Sequence, residues 1–295
     1  MSHGPPALQP GETKASDLFV QALELEGVDR IFAVPGEENL DLLESIRTSN
    51  INLVLTRHEQ GAGFMADGYA RLGGKPGVCV LISGPGVTNA CTPMGQSFAD
   101  SIPVLVISST TASYSLGKGW GCLHEVTDLE AVTRPLPALS ATARSPDDLE
   151  ELIGQAFSIF ASERPRPVHI AVPIDVLAQP VSTTWQRRTV PSRPAPAGSA
   201  IREAAELLRQ AERPLIYAGG GAVGTAPLLT QIAEHLDAAV ITTTAGKGVV
   251  PDSHPLCVGG GIVRPQARDF LAQADVILAI GTEMSETDSF VERMA

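Results

Sequence analysis

An α/β fold resting on parallel sheets is what this sequence predicts, and three observations carry that expectation. Short apolar runs of strand length recur along the chain, segments of helical periodicity separate them, and one stretch rich in Pro, Ser and Arg interrupts the alternation. Strands that are apolar at every position and spaced by helices indicate a parallel sheet covered on both faces. At 295 residues, two domains are the natural expectation.

The elements follow in order. "ASDLFVQALELEGV" (15–28) sets Leu18, Phe19, Ala22, Leu23 and Leu25 near one helical face, and Gly27 stops it. "RIFAVPG" reads as a short strand closed by Pro-Gly, "LDLLESI" as a helix and "INLVL" as a strand. "GFMADGYARL" is helical, "GVCVLIS" a strand, "TNACTPMGQSFADS" a helix and "PVLVISS" a strand. "SPDDLEELIGQAFSIFAS" is an amphipathic helix, with Ser145 at its start and acids in the first turn. "PVHIAVP" is a further β-rich run.

The segment 179–199, "QPVSTTWQRRTVPSRPAPAGS", has no periodicity and reads as a linker. A second α/β unit follows: helix "IREAAELLRQAE", strand "PLIYAG", helix "APLLTQIAEHL", strand "AAVITTT", helix "RPQARDFLAQA" and strand "DVILAIG". The organisation expected is a loose tail over 1–13, a first domain over 14–178, the linker, and a partial second domain over 200–295.

Bulk properties narrow the function. A formal net charge of -12 argues against nucleic acid or an anionic membrane as partner. No apolar run reaches the roughly eighteen residues needed to span a bilayer. The opening "MSHGPPALQPGE" lacks a signal pattern. Cys79, Cys91, Cys122 and Cys257 have no metal-type spacing and read as reduced thiols. A cytoplasmic protein is the expectation.

Individual motifs carry less than their combination. Residues 219–224, "GGGAVG", fit G-x-G-x-x-G after a strand, but the next strand ends in threonines instead of the acid a dinucleotide ribose needs. A glycine turn packing strand on helix explains them better. His58-Glu59 fails as a zinc motif because Ala62 stands where the second histidine belongs. "SGPGVTN" (83–89) lacks the Gly-Lys-Ser/Thr ending of a phosphate loop. Three turns, "VPGEEN" (34–39), "TRHEQ" (56–60) and "SGPGVTN", each follow an apolar strand and should share one rim of the sheet. In open α/β sheets that rim binds ligands.

"FAVPGEENLDLLESI", "TRHEQGAGFMADGYAR", "LISGPGVTNACTPMGQSFADSIPVLVIS" and "RPVHIAVPIDV" together closely resemble the N-terminal, pyrimidine-binding domain of thiamine-diphosphate enzymes. The group is that of acetolactate synthase, benzoylformate decarboxylase and pyruvate oxidase. Residues 200–295 look like the beginning of that family's Rossmann-like central domain. The resemblance implies that Glu59 is the catalytic glutamate that protonates or hydrogen-bonds N1′ of the aminopyrimidine. Desolvation beside an aromatic ring would suit such a carboxyl to proton exchange. It also implies that Val34, Pro35 and Gly36 lie beside the pyrimidine, with Pro85 and Asn89 flanking it. The small residues after Glu59 then suggest a shelf for the ring. His124, in "CLHEV", falls where many relatives carry a glutamine near the thiazolium.

The family completes its site with a further domain whose Gly-Asp-Gly signature holds the diphosphate through Mg²⁺, and no Gly-Asp-Gly occurs in these residues. The chain is therefore expected to carry half of a thiamine-diphosphate site and no metal ligands. The flavin-type segment of acetolactate synthases is unmatched by "HPLCVGGGIVRP", which argues against FAD. "GKGWGCLHEV" looks most like 2-oxo acid decarboxylases, including a guanidino-oxopentanoate type. The expected activity is 2-oxo acid decarboxylation or carboligation. The partners would be a 2-oxo acid and a homodimer, a tetramer or a complementary chain. An inactive remnant or association partner is the alternative reading, and a nucleotide binder through 219–224 the third.

Overall fold

The computed structural model describes residues 8–188 and 190–289. The chain divides after Pro194 into two compact units.

The first unit runs β1 (Thr13–Lys14), α1 (Ala15–Leu25), β2 (Arg30–Ala33), α2 (Leu40–Arg47), β3 (Asn52–Leu55), α3 (Glu59–Gly73), β4 (Gly77–Leu81), α4 (Pro85–Asp100) and β5 (Val104–Thr110). It continues with α5 (Leu129–Thr133), β6 (Leu139–Thr142), α6 (Pro146–Ser162), β7 (Val168–Pro173), α7 (Ile174–Leu177) and β8 (Pro180–Val181). Six strands form one sheet in the order β3-β2-β4-β5-β7-β6, and every pair is parallel.

Both central strands, β4 and β5, are buried at every residue, which accounts for their uninterrupted apolar sequence. Their side chains alternate between two cores. Val78, Val80, Leu105 and Ile107 pack with Leu18, Phe19, Leu42 and Leu149 from α1, α2 and α6. Cys79, Leu81, Val104 and Val106 pack with Ala62, Ala66, Ala90 and Met94 from α3 and α4. Burying each such aliphatic side chain contributes about 1.5–3 kcal/mol. Cys79 is enclosed so completely that burial pushes its thiol up to about 12, and all four cysteines are free.

Local signals set the helix ends. Ser145 Oγ accepts from the Asp148 amide at 3.1 Å, with Pro146 in the first turn of α6. Gly74, at φ 64°, closes α3 in the left-handed conformation.

Three features depart from the sequence reading. Thr13–Lys14, at the edge of the expected tail, pairs antiparallel with Pro180–Val181, inside the expected linker. Residues 1–7 of that tail lie outside the described residues. Trp185, also in the linker segment, is buried in the first core. The edge strand β6 and the short α5 escaped the apolar pattern, because β6 is only half-buried along its length.

The second unit contains α8 (Gly198–Gln210), β9 (Pro214–Ala218), α9 (Ala226–Leu236), β10 (Ala239–Thr242), β11 (Cys257–Gly259), α10 (Pro265–Leu271), β12 (Val276–Ile280) and α11 (Glu286–Ser289). Its sheet is parallel in the order β11-β10-β9-β12, with Ile216, Ala218, Val240 and Leu229 in its core. Among the described residues no helix is long and apolar enough to cross a membrane.

Candidate functional site

Because the first sheet is parallel throughout, the chain leaves β2, β3, β4 and β5 on one rim. Adjacent strands β2 and β4 feed helices on opposite faces: α2 packs into one core and α4 into the other. A rim crevice between such strands is the ordinary ligand position in an open α/β sheet. The turns 34–39 and 82–84 meet there, with the start of α3 beside them.

Glu59 is the first residue of α3. His58 caps that helix, its Nδ1 accepting from the Gln60 amide at 3.1 Å. The Glu59 side chain is half-buried, and Asn89 on α4 donates from Nδ2 to its Oε2 at 2.9 Å. This bond joins the start of α3 to the N-terminal part of α4 and holds the carboxylate at the rim.

Glycines let the other turns close in. A Cβ on Gly36 would overlap Ile82 Cγ2, and one on Gly86 would come within 2.8 Å of Ile82 Cγ1 and 3.8 Å of Glu59 Cγ. Half-buried Ile82 therefore lies between the 34–39 turn and the glutamate. Asn39 braces that turn, its Oδ1 accepting from the Gly36 amide at 3.0 Å and its Nδ2 donating to the Val34 carbonyl at 3.1 Å. Gly84, at φ 51°, packs so closely under His124 that a Cβ there would overlap the His124 carbonyl oxygen.

The contacts thus gather Gly36, Glu59, Gly86, Asn89 and His124 into one neighbourhood. Val34, Pro35 and Pro85 stand on the same turns, with Val34 half-buried and both prolines exposed.

The loop after β5 brings His124 to the rim, and Glu125 shapes it. Its carboxylate accepts from the amides of Gly119, Gly121 and Cys122 at 2.9, 2.7 and 3.1 Å. Burial pulls its pKa upward, but these amides outweigh that and hold it below the usual carboxylate range.

The small residues of α3 require a correction. Ala62, Gly63 and Ala66 face inward and are buried. A Cβ on Gly63 would overlap Pro93 of α4, and one on Gly77 would overlap the Ala66 carbonyl. They let α3 approach α4 and β4 closely, so they serve helix packing and not a shelf for a ring. Only the N-terminal end of α3 reaches the rim.

Glu38 was missed in the sequence. It is 6% exposed and receives the Ser83 amide at 3.1 Å and the Ser83 hydroxyl at 3.0 Å. The acidic pair Glu37-Glu38 in "VPGEEN" was its one signal, and nothing in the pattern says which acid turns inward.

Comparison with known proteins identifies the family of the chain. Residues 13–131 match the family model for the thiamine pyrophosphate enzyme N-terminal TPP binding domain. Residues 201–293 match that for the central domain of the same enzymes. The chain is 51% identical over 290 residues to a protein of Pseudomonas aeruginosa described as a probable 2-ketoarginine decarboxylase AruI, covering 97% of this chain and 52% of that one. It is 35% identical over 286 residues to a probable acetolactate synthase large subunit of Methanocaldococcus jannaschii, covering 92% and 48%. To the acetolactate synthase isozyme 1 large subunit of Escherichia coli it is 32% identical over 276 residues, covering 92% and 49%. The chain spans about half the length of these relatives.

Proposed function

The chain belongs to the thiamine pyrophosphate enzyme family, and from that premise we propose that it supplies the pyrimidine side of a thiamine-diphosphate site for 2-oxo acid decarboxylation or carboligation. The observation that carries this reading is the Glu59–Asn89 pair at the rim, bordered by Ile82 and the backbone of Gly36 and Gly86. Those residues fit an aromatic heterocycle bearing a ring nitrogen. An apolar side chain seated against two Cβ-free backbones offers the apolar surface, and a carboxyl beside it offers the hydrogen bond.

When bound, thiamine diphosphate would supply a carbon nucleophile for the chemistry of a 2-oxo acid. Glu59 holds or shares a proton at N1′ of the aminopyrimidine. Asn89 keeps the Glu59 carboxylate in place and occupies one of its oxygens, leaving the other for the ring nitrogen. Val34, Pro35, Gly36 and Pro85 border the pyrimidine, and His124 stands toward the reacting end. The diphosphate and its Mg²⁺ are held by protein outside residues 1–295, on a further domain or a complementary chain, and the assembly is a homodimer or tetramer.

The substrate class is a 2-oxo acid with a cationic guanidino tail. The relative at 51% identity is described as a decarboxylase of 2-ketoarginine, which has that structure, and this supports the reading.

Titration with thiamine, which carries the aminopyrimidine without the diphosphate, tests the site by amide NMR. The expected result is a set of shift changes confined to 34–39, 59–60 and 82–89, weakened about tenfold or more in apparent affinity by Glu59→Gln. Shift changes elsewhere, or an affinity untouched by that substitution, would overturn the assignment.

A further inference from the structure

The Glu38 carboxylate is nearly enclosed, and a buried charge is costly unless it is paired and hydrogen-bonded. Ser83 satisfies it in part, its amide reaching Oε2 at 3.1 Å and its hydroxyl reaching Oε1 and Oε2 at 3.0 and 3.1 Å. These are neutral donors. Among the described residues, the cationic-type group that approaches Glu38 is His124, whose Nδ1 lies 3.5 Å from Oε2.

His124 is constrained from the other side as well. Its backbone is left-handed, at φ 57°, an uncommon state for a side-chain-bearing residue that surrounding structure must enforce. Its carbonyl rests on Gly84 and lies 3.5 Å from the Ser83 hydroxyl. The ring is divided. Nδ1 is fully buried with no hydrogen-bond partner, while the side chain as a whole keeps 28% exposure. The exposure of the side chain therefore falls on atoms other than Nδ1.

A lone pair on Nδ1 would face the carboxylate oxygen and be repelled by it, whereas an N–H there is attracted. We propose that Glu38 is the positioning residue for His124: it selects the Nδ1–H tautomer and leaves Nε2 as the unprotonated nitrogen presented at the rim. Orientation of an imidazole by a carboxylate on its far nitrogen is the general way such a ring is given a defined acceptor. Ser83 keeps the Glu38 carboxyl aimed. The three residues come from three separate rim turns, so the arrangement exists only in the folded sheet. Its use in the reaction, as an acceptor near the 2-oxo acid, rests on the thiamine-diphosphate reading. The ring geometry does not.

Long-range ¹H–¹⁵N NMR of the full chain, at about pH 8 and above the ordinary imidazole range, reads the tautomer directly. His124→Gln assigns the signal. The expected result is one Nδ1–H tautomer in the unaltered protein, replaced by a tautomer mixture in Glu38→Gln. Ser83→Ala retains Glu38 and is expected to keep the Nδ1–H form, which preserves the test if Glu38→Gln fails to fold. An Nε2–H ring in the unaltered protein, unchanged nitrogen shifts in Glu38→Gln, or loss of the tautomer in Ser83→Ala would overturn the proposal. Because no cofactor is added, this outcome is independent of the thiamine titration with Glu59→Gln.

Discussion

Glycines that follow parallel strands serve different purposes in the two units. In the second unit, a Cβ on Gly219 would overlap the Gly281 carbonyl, and one on Gly281 would overlap the Ala222 amide nitrogen. The Gly219 and Gly221 amides donate to the carbonyls of Ile280 and Gly281 at 2.9 Å each. There, backbone packs on backbone. In the first unit, Gly36 and Gly86 make room for one side chain, Ile82, beside the Glu59–Asn89 pair. There, the glycines admit a side chain. A glycine motif therefore informs about function only when the groups it admits are known.

The largest effect that would break this contrast is expected from Gly219→Ala. The new methyl meets backbone atoms that cannot rotate away, so the second unit should lose more than about 3 kcal/mol. Both tryptophans, Trp120 and Trp185, precede the division after Pro194. Tryptophan fluorescence should therefore melt as before while circular dichroism shows an earlier transition. Coincident early melting by both probes would contradict local backbone packing.

A comparable effect distinguishes the units by pH. His169 is fully buried between β5, β6 and α5. Its Nε2 is 2.9 Å from Ser108 Oγ, and its Nδ1 lies 3.1 Å from Thr133 Oγ1 and 3.0 Å from Ser140 Oγ. Burial lowers its pKa from 6.5 to about 4, so the folded protein keeps it neutral where the unfolded chain takes up a proton. Its contribution is whole above pH 6.5 and is lost as pH falls toward 4. The expected loss is roughly 3 kcal/mol. Urea titrations followed by tryptophan fluorescence should show this slope, and His169→Gln should remove it whatever its stability at neutral pH.

Gly86→Ala should have the smallest effect on stability, about 1 kcal/mol, because Ile82 can turn away from the added methyl. The displaced Ile82 should nevertheless weaken the thiamine response. Equal destabilisation by Gly86→Ala and Gly219→Ala would erase the distinction between the two sets of glycines.

Much of the fold was legible because its strands are buried on both faces. "GVCVLIS" and "PVLVISS" have no polar alternation to confuse them, and each became a central strand. In the two parallel sheets, the strands that went unread, β6 and β11, sit at sheet edges and bury too little to mark themselves. The candidate site was legible at Glu59 and Asn89 through their turn motifs, and their contact is visible only in the structure. Glu38 was not legible, since two adjacent acids look alike until a turn buries one of them.

By itself, the sequence determined the alternation of strands and helices, the parallel class of both sheets and the three turns that share one rim. These follow from local periodicity and from turn chemistry, which neighbouring residues decide. Tertiary structure alone decided where side chains point. It turned the small residues of α3 toward α4 instead of toward a ligand, sank Glu38 beneath Ser83, and set His124 against both. Those outcomes depend on contacts between residues far apart in the chain, and no local pattern records them.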